Sequence, residues 1–203
     1  MSARRVDPSV ALVVARARES ADLTLLGDRA RGCVACPELA AMRTTVVVGD
    51  FPPGARLMLV GEAPGAQEDA SGRPFVGKAG QLLDSLLAEV GIDRTSTAVA
   101  NVVKCRPPAN RPPTTVESRR CRGWLDRQVE LADPSLVVTL GGTALAWALG
   151  AGIRLRDARQ TVHEWRGRRL LATYHPSAAI RFGPKGEPLA ALRADLRTAA
   201  ALL

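Results

Sequence analysis

The stretch RLMLVGEAPGAQEDASGRPFVG (Arg56–Gly77) decides how this chain is read. Its apolar run Arg56–Val60 stops at a glycine, the pattern of a short strand buried on both faces. The chain then turns through Gly61, Pro64 and Gly65, carries Glu62, Gln67, Glu68 and Asp69, and presents Phe75 between Pro74 and Gly77. A turn needs the glycines, but it does not need carboxylates beside an aromatic ring. The stretch therefore reads as a strand that runs into the wall of a pocket.

Three more apolar, β-branched runs follow: Ala98–Val103, Leu136–Leu140 and Leu170–Tyr174. Helical patterns lie around and between them. One starts near Asp7-Pro8, where Asp can cap and Pro fits the first turn. Ala79–Val90 repeats apolar residues at i, i+3 and i+4 and stops at Gly91. Pro113–Ala132 opens on Thr114-x-x-Glu117, a capping box. Thr143–Leu149 follows Gly141-Gly142, and the tail from Glu187 is amphipathic. Near-continuous strands alternating with helices predict an α/β fold whose mostly parallel sheet is covered on both faces. In such sheets ligands bind at the carboxyl ends of the strands. Glu62, Asn101, Gly141-Gly142 and His175 all fall at those ends, so we expect them to form one site.

With 203 residues, 46% of them hydrophobic, the chain can bury one sizeable core, and we expect a single domain over residues 1–203. Lys and Arg number 28 against 20 Asp and Glu, a net charge of +8. Such an excess favours a polyanionic partner such as nucleic acid, although a merely basic surface gives the same balance. No segment is long and apolar enough to span a membrane. The start MSARRVDPSVALVVARARES has its apolar run broken by Arg16 and Arg18 and no small-residue cleavage site, which argues against a signal peptide. We therefore expect a cytoplasmic monomer, in which disulfides are a poor account of the cysteines.

The four cysteines are Cys33, Cys36, Cys105 and Cys121, spaced C-x2-C and then C-x15-C. Four thiolates fit zinc or an iron–sulfur cluster, and buried unligated thiols are the third reading. His175 is one of two histidines and lies in TYHPSAAIR. Either it is a hydrogen-bonded residue that finishes a strand, or it acts at the strand end, with Pro176 fixing the turn. His163, in TVHEWRG, has no such setting and is read as surface. Asn101 interrupts an apolar strand, where its amide needs partners. It suits an adjacent acceptor and N–H edge such as an imide presents, or else it bonds a loop backbone. Phe75 is either core packing or a platform for a base, in a chain with only three Phe, three Trp and one Tyr.

GEAPGAQEDASGRPFVGKAGQLLD, NVVKCRPPANRPPT and YHPSAAIR, together with the cysteine spacing, closely resemble the family 4 uracil-DNA glycosylases, an iron–sulfur branch of that superfamily. The resemblance runs from about Cys33 to the C-terminus. It implies a three-layer α/β/α fold with a central four-stranded sheet, excision of uracil from DNA in base-excision repair, and a structural 4Fe–4S cluster on Cys33, Cys36, Cys105 and Cys121. That cluster would tie the N-terminal helical segment to the connection after the second strand. By motif, Glu62, Ala63 and Gly65 belong to the water-activating loop, with Glu68 beside them. Phe75 stacks on uracil, Asn101 reads it, His175 contacts its O2 edge, and Ser177 and Arg181 lie near the DNA backbone. Two other classes stay open on the residues alone: an iron–sulfur electron-transfer protein, and a non-catalytic nucleic-acid-binding module stabilised by a metal.

Overall fold

A computed structural model describes residues 7–203; the charged start Met1–Val6 of the expected N-terminal segment lies outside the described residues. Helices α1 (Pro8–Arg18), α2 (Leu23–Arg31) and α3 (Pro37–Met42) come first. The Asp7 carboxylate accepts the Ser9 N–H at 2.9 Å and Pro8 occupies the first turn, as the sequence leads one to expect. Strand β1 (Leu57–Gly61) leads to α4 (Ala66–Ser71) and α5 (Lys78–Glu89), and β2 (Ala98–Asn101) leads to α6 (Thr115–Ala132). Then come β3 (Leu136–Leu140), α7 (Gly142–Leu149), α8 (Leu155–Ala158), β4 (His163–Trp165), β5 (Arg168–Thr173), α9 (Pro176–Phe182) and α10 (Glu187–Ala201).

The sheet has the order β2-β1-β3-β5-β4 and is parallel except for β4. Four strands are those expected; the fifth is an addition. β4 pairs antiparallel with β5 across a tight turn at Arg166-Gly167, both in the left-handed region (φ 50° and 73°), which suits a right-twisted hairpin. His163 is consequently not a free surface residue. It is a half-buried strand residue whose Nε2 lies 2.9 Å from the Ala158 carbonyl.

Alternation along the strands splits the core in two. Met58, Val60, Ala98, Ala100 and Val137 face Val13, Leu26, Trp124, Leu125 and Val129 on α1, α2 and α6. Leu57, Leu59, Val99, Leu136 and Val138 face Leu83, Leu87, Leu192 and Leu196 on α5 and α10. Two apolar layers around one sheet make the three-layer arrangement, and they explain why strand residues of both parities are apolar. The N-terminal helices lie along α6, where Arg127 donates to the Ser20 carbonyl (2.9 and 3.2 Å) and Arg120 pairs with Asp7 (2.8 Å). Among the described residues no helix is long and apolar enough to cross a membrane.

Candidate functional site

At the carboxyl edge of the sheet, Gly61 of β1 stands opposite Asn101 of β2. The pairing continues past the strand ends, with Val102 N–H to Gly61 O (2.9 Å) and Val103 N–H to Glu62 O (3.0 Å). These bonds hold the Glu62 and Asn101 backbones side by side. A cleft of about 340 Å³ opens there, lined by Glu62, Ala63, Gly65, Glu68, Phe75, Asn101, His175, Ser177 and Arg181, with Asn110 and Arg111 on its rim. The nine residues that the motifs assign to the site meet in this one cleft, whereas Gly141-Gly142, expected at the same strand ends, do not line it.

Phe75 is 6% exposed and its ring centroid lies 5.7 Å from that of His175. Its backbone is left-handed (φ 55°), a conformation that costs a non-glycine residue of order 1–3 kcal/mol. Two glycines make its seat. A Cβ on Gly61 would run into the Phe75 ring and Asn101 Oδ1, and one on Gly80 would run into the Phe75 carbonyl. The second role of Gly61, clearing space across the sheet, shows only once the register with Asn101 is known.

The three carboxylates after β1 divide their tasks. Glu68 accepts the N–H groups of Gly65 (3.0 Å), Val76 (2.9 Å) and Gly77 (2.7 Å), so it clamps the loop into its turn. Asp69, 3% exposed, accepts the Thr44 and Thr45 N–H groups and faces away from the cleft. Glu62 is left, and its one side-chain partner among the described residues is the Thr143 hydroxyl on α7. Thr143 was not singled out in the sequence. A hydroxyl in the first turn of a helix is too common to stand out.

Asn101 is 2% exposed, and its buried Oδ1 has no hydrogen-bond partner among the described residues. Buried amide oxygens are rarely left so, and this one borders a cleft. His175 lies two residues past the end of β5 and caps α9, its Nδ1 accepting the Ser177 N–H at 3.2 Å, with the Ser177 hydroxyl at 2.8 Å. Because that N–H can only donate, the neutral ring carries its proton on Nε2. Burial pushes the His175 pKa down to about 4, against a smaller opposing pull from the Glu68 charge, so the ring is neutral at pH 7.

The loop from Cys105 to Pro113 borders the cleft and is fixed by Arg111. Its guanidinium forks onto both Glu117 oxygens (2.8 and 2.9 Å), while Glu117 also accepts the Thr114 N–H at 2.7 Å in the expected capping box. The Arg111 hydrogen bonds hold the Glu117 carboxyl well below its ordinary range, at about 2.

Cys105 and Cys121 are buried in the core layer under α1, α2 and α6, and Cys33 and Cys36 pack against that layer. Burial pushes the Cys121 thiol up to about 12 and Cys36 up to about 11, and the neighbouring thiols add to both. Arg43 donates to Cys105 Sγ at 3.2 Å and the Lys104 N–H to Cys121 Sγ at 3.3 Å. Lys104 is fully buried beside them, and burial lowers its pKa to about 8 while Cys121 and Cys105 oppose the fall. Among the described residues no group of three or more His, Cys, Asp or Glu side chains is gathered tightly enough to hold a metal ion. The donors are nonetheless all sulfur, with the Arg43 guanidinium and the Lys104 N–H aimed at them. Such a set fits thiolates held by zinc or an iron–sulfur cluster.

Residues 48–197 match the model of the uracil-DNA glycosylase superfamily. The chain is 43% identical to a type-4 uracil-DNA glycosylase of Thermotoga maritima over 78% of its length and 83% of the relative's. It is 39% identical to a type-4 uracil-DNA glycosylase of Sulfurisphaera tokodaii, covering 73% and 71%. A type-5 uracil-DNA glycosylase of Pyrobaculum aerophilum is 32% identical, covering 74% and 80%.

Proposed function

The chain belongs to the uracil-DNA glycosylase superfamily, and from that premise we propose that it excises uracil from DNA by hydrolysing the N-glycosidic bond, leaving an abasic site for base-excision repair. The observation that carries the reading is the unpaired Oδ1 of Asn101 at the cleft. Uracil offers an N3–H donor next to an O4 acceptor, so Oδ1 meets the first and the Asn101 N–H₂ the second. Cytosine offers the reverse pair.

A duplex hides the C1′–N1 bond, so the nucleotide is flipped into the cleft, where Phe75 stacks on its base. As the bond breaks, negative charge gathers on uracil O2 and positive charge on the sugar. His175 donates its Nε2–H to O2, a preorganised interaction typically worth about 3 kcal/mol. Glu62, held by Thr143, orients the attacking water and opposes the sugar cation. Glu68 acts through the loop it clamps. Ser177 and Arg181, both exposed at the rim, contact the DNA backbone.

We assign Cys33, Cys36, Cys105 and Cys121 to a 4Fe–4S cluster, supported by the all-sulfur donor set and by the motif resemblance. When bound, the group supplies a cross-link between the N-terminal segment and the loop after β2. A genome-repair role supports the cytoplasm.

The test is incubation with a uracil-containing oligonucleotide followed by alkaline cleavage of abasic sites. Wild type should cut at uracil and spare cytosine by a factor on the order of 10⁴, because a mismatched base leaves buried groups unpaired on both sides. Asn101→Asp should lose most uracil excision through repulsion at O4. Near wild-type uracil rates in both Asn101→Asp and Asn101→Ala would sink the base-reading role.

A further inference from the structure

Lys104 is 1% exposed and precedes Cys105 in the chain, and among the described residues no carboxylate pairs with its ammonium. A buried ammonium is tolerated only where charge and hydrogen bonds answer it. Its placement explains more than local charge. The ammonium donates to the Asn101 carbonyl at 2.7 Å. The Lys104 N–H goes to Cys121 Sγ at 3.3 Å, and the Lys104 carbonyl accepts the Val47 N–H at 2.8 Å. One residue thus touches the cysteine centre, the segment before β1 and the backbone of the residue that meets the base. Asn101 is also the last residue of β2.

We propose that Lys104 is a positioning residue that couples the cysteine centre to base reading: its backbone N–H is anchored on Cys121 Sγ at one end, and its ammonium holds the Asn101 carbonyl at the other. The inference rests on the glycosylase reading above. Loss of the centre loosens the Cys121 anchor of Lys104, and the Asn101 amide then loses the support that presents it to the base. Coupling of this kind is reciprocal, so a base seated on Asn101 must also steady the centre.

The reciprocal arm supplies a test that plain packing does not mimic. Metal release from the as-purified protein to a chromogenic chelator is followed with a bound oligonucleotide carrying 2′-fluoro-2′-deoxyuridine. The fluorine disfavours the sugar cation and blocks cleavage. The control is the same strand with 2′-fluoro-2′-deoxycytidine, at equal DNA occupancy. In wild type the uracil strand should slow release about fivefold relative to the cytosine strand, the low end of allosteric couplings. In Lys104→Met the ratio should fall to about one with the far-ultraviolet circular dichroism unchanged. If Lys104→Met does not fold, Lys104→Gln, whose shorter side chain lacks the ammonium that reaches the Asn101 carbonyl, takes its place with the same expectation. A ratio near one in a wild type that excises uracil overturns the coupling alone. A fivefold ratio that survives the substitution removes Lys104 from it. A wild type that excises no uracil removes the glycosylase reading, and this inference with it.

Discussion

At the scale of single residues, the cleft pairs a neutral histidine with one carboxylate that has been spared structural duty. His175 accepts the Ser177 N–H on Nδ1 and so presents Nε2–H as a neutral donor. Its pKa of about 4 lies below the ordinary 6.5 because burial disfavours the charged ring. The unfolded chain therefore takes up this proton at a higher pH than the folded one, and stability from this group falls as pH drops from about 6.5 toward 4. A titration followed by imidazole ¹⁵N shifts should show Nδ1 unprotonated down to about pH 5; a midpoint near 6.5 would contradict the burial argument. Thr143 fixes Glu62 from the neighbouring strand end. Thr143→Val should lower the single-turnover excision rate about tenfold at unchanged DNA affinity, with Thr143→Ser close to wild type, because the bond orients a group that acts on developing charge. Equal rates in Thr143→Val and wild type would reduce Thr143 to packing.

At the scale of elements, the clamp between the Cys105–Pro113 loop and α6 is the most exposed to acid. Glu117, with a pKa near 2 against an ordinary 4.5, contributes stability above about pH 4.5 and loses it as pH falls toward 2. Glu117→Gln should lower Tm at pH 7 by about 3–10 °C, from loss of charge-assisted bonds in a chain of this size, and the gap to wild type should close near pH 2. This capping box was legible in Thr114-x-x-Glu117, because its partners are local. The strands β1 and β3 were legible as well, since burial on both faces makes them continuous apolar runs. The second run overreached: Val102 and Val103 are as apolar as a strand, but they bond Gly61 and Glu62 beyond the ladder. β4 escaped notice because His163-Glu164-Trp165 has no pattern of its own; its turn and its partner β5 create it. Within the cleft, residue types and strand ends brought the right groups to one place. The division of labour among Glu62, Glu68 and Asp69 depends on which backbone amides the folded loop turns toward each, and that is not written in their spacing.

At the scale of the whole molecule, one sheet with apolar layers on both faces brings four loops to one edge, in a chain of net charge +8. Charge of this sign predicts binding that weakens with salt through counterion release. Raising NaCl from 50 to 200 mM should weaken affinity for a uracil-containing oligonucleotide about tenfold or more, the loss given by two neutralised phosphates. Arg181→Ala should reduce the slope of that dependence by about one and weaken all sequences alike. An unchanged slope would take Arg181 off the backbone. The unpaired oxygen of Asn101 has a consequence for turnover. It recognises a hydrogen on the base, and the base keeps that hydrogen after its bond to the sugar is gone. Before and after the reaction the cleft offers the same welcome, so the severed base has to be let go against the interactions that chose it. Departure then competes with chemistry for control of the cycle, and the protein stays over the damaged strand while the gap it has made is still unrepaired.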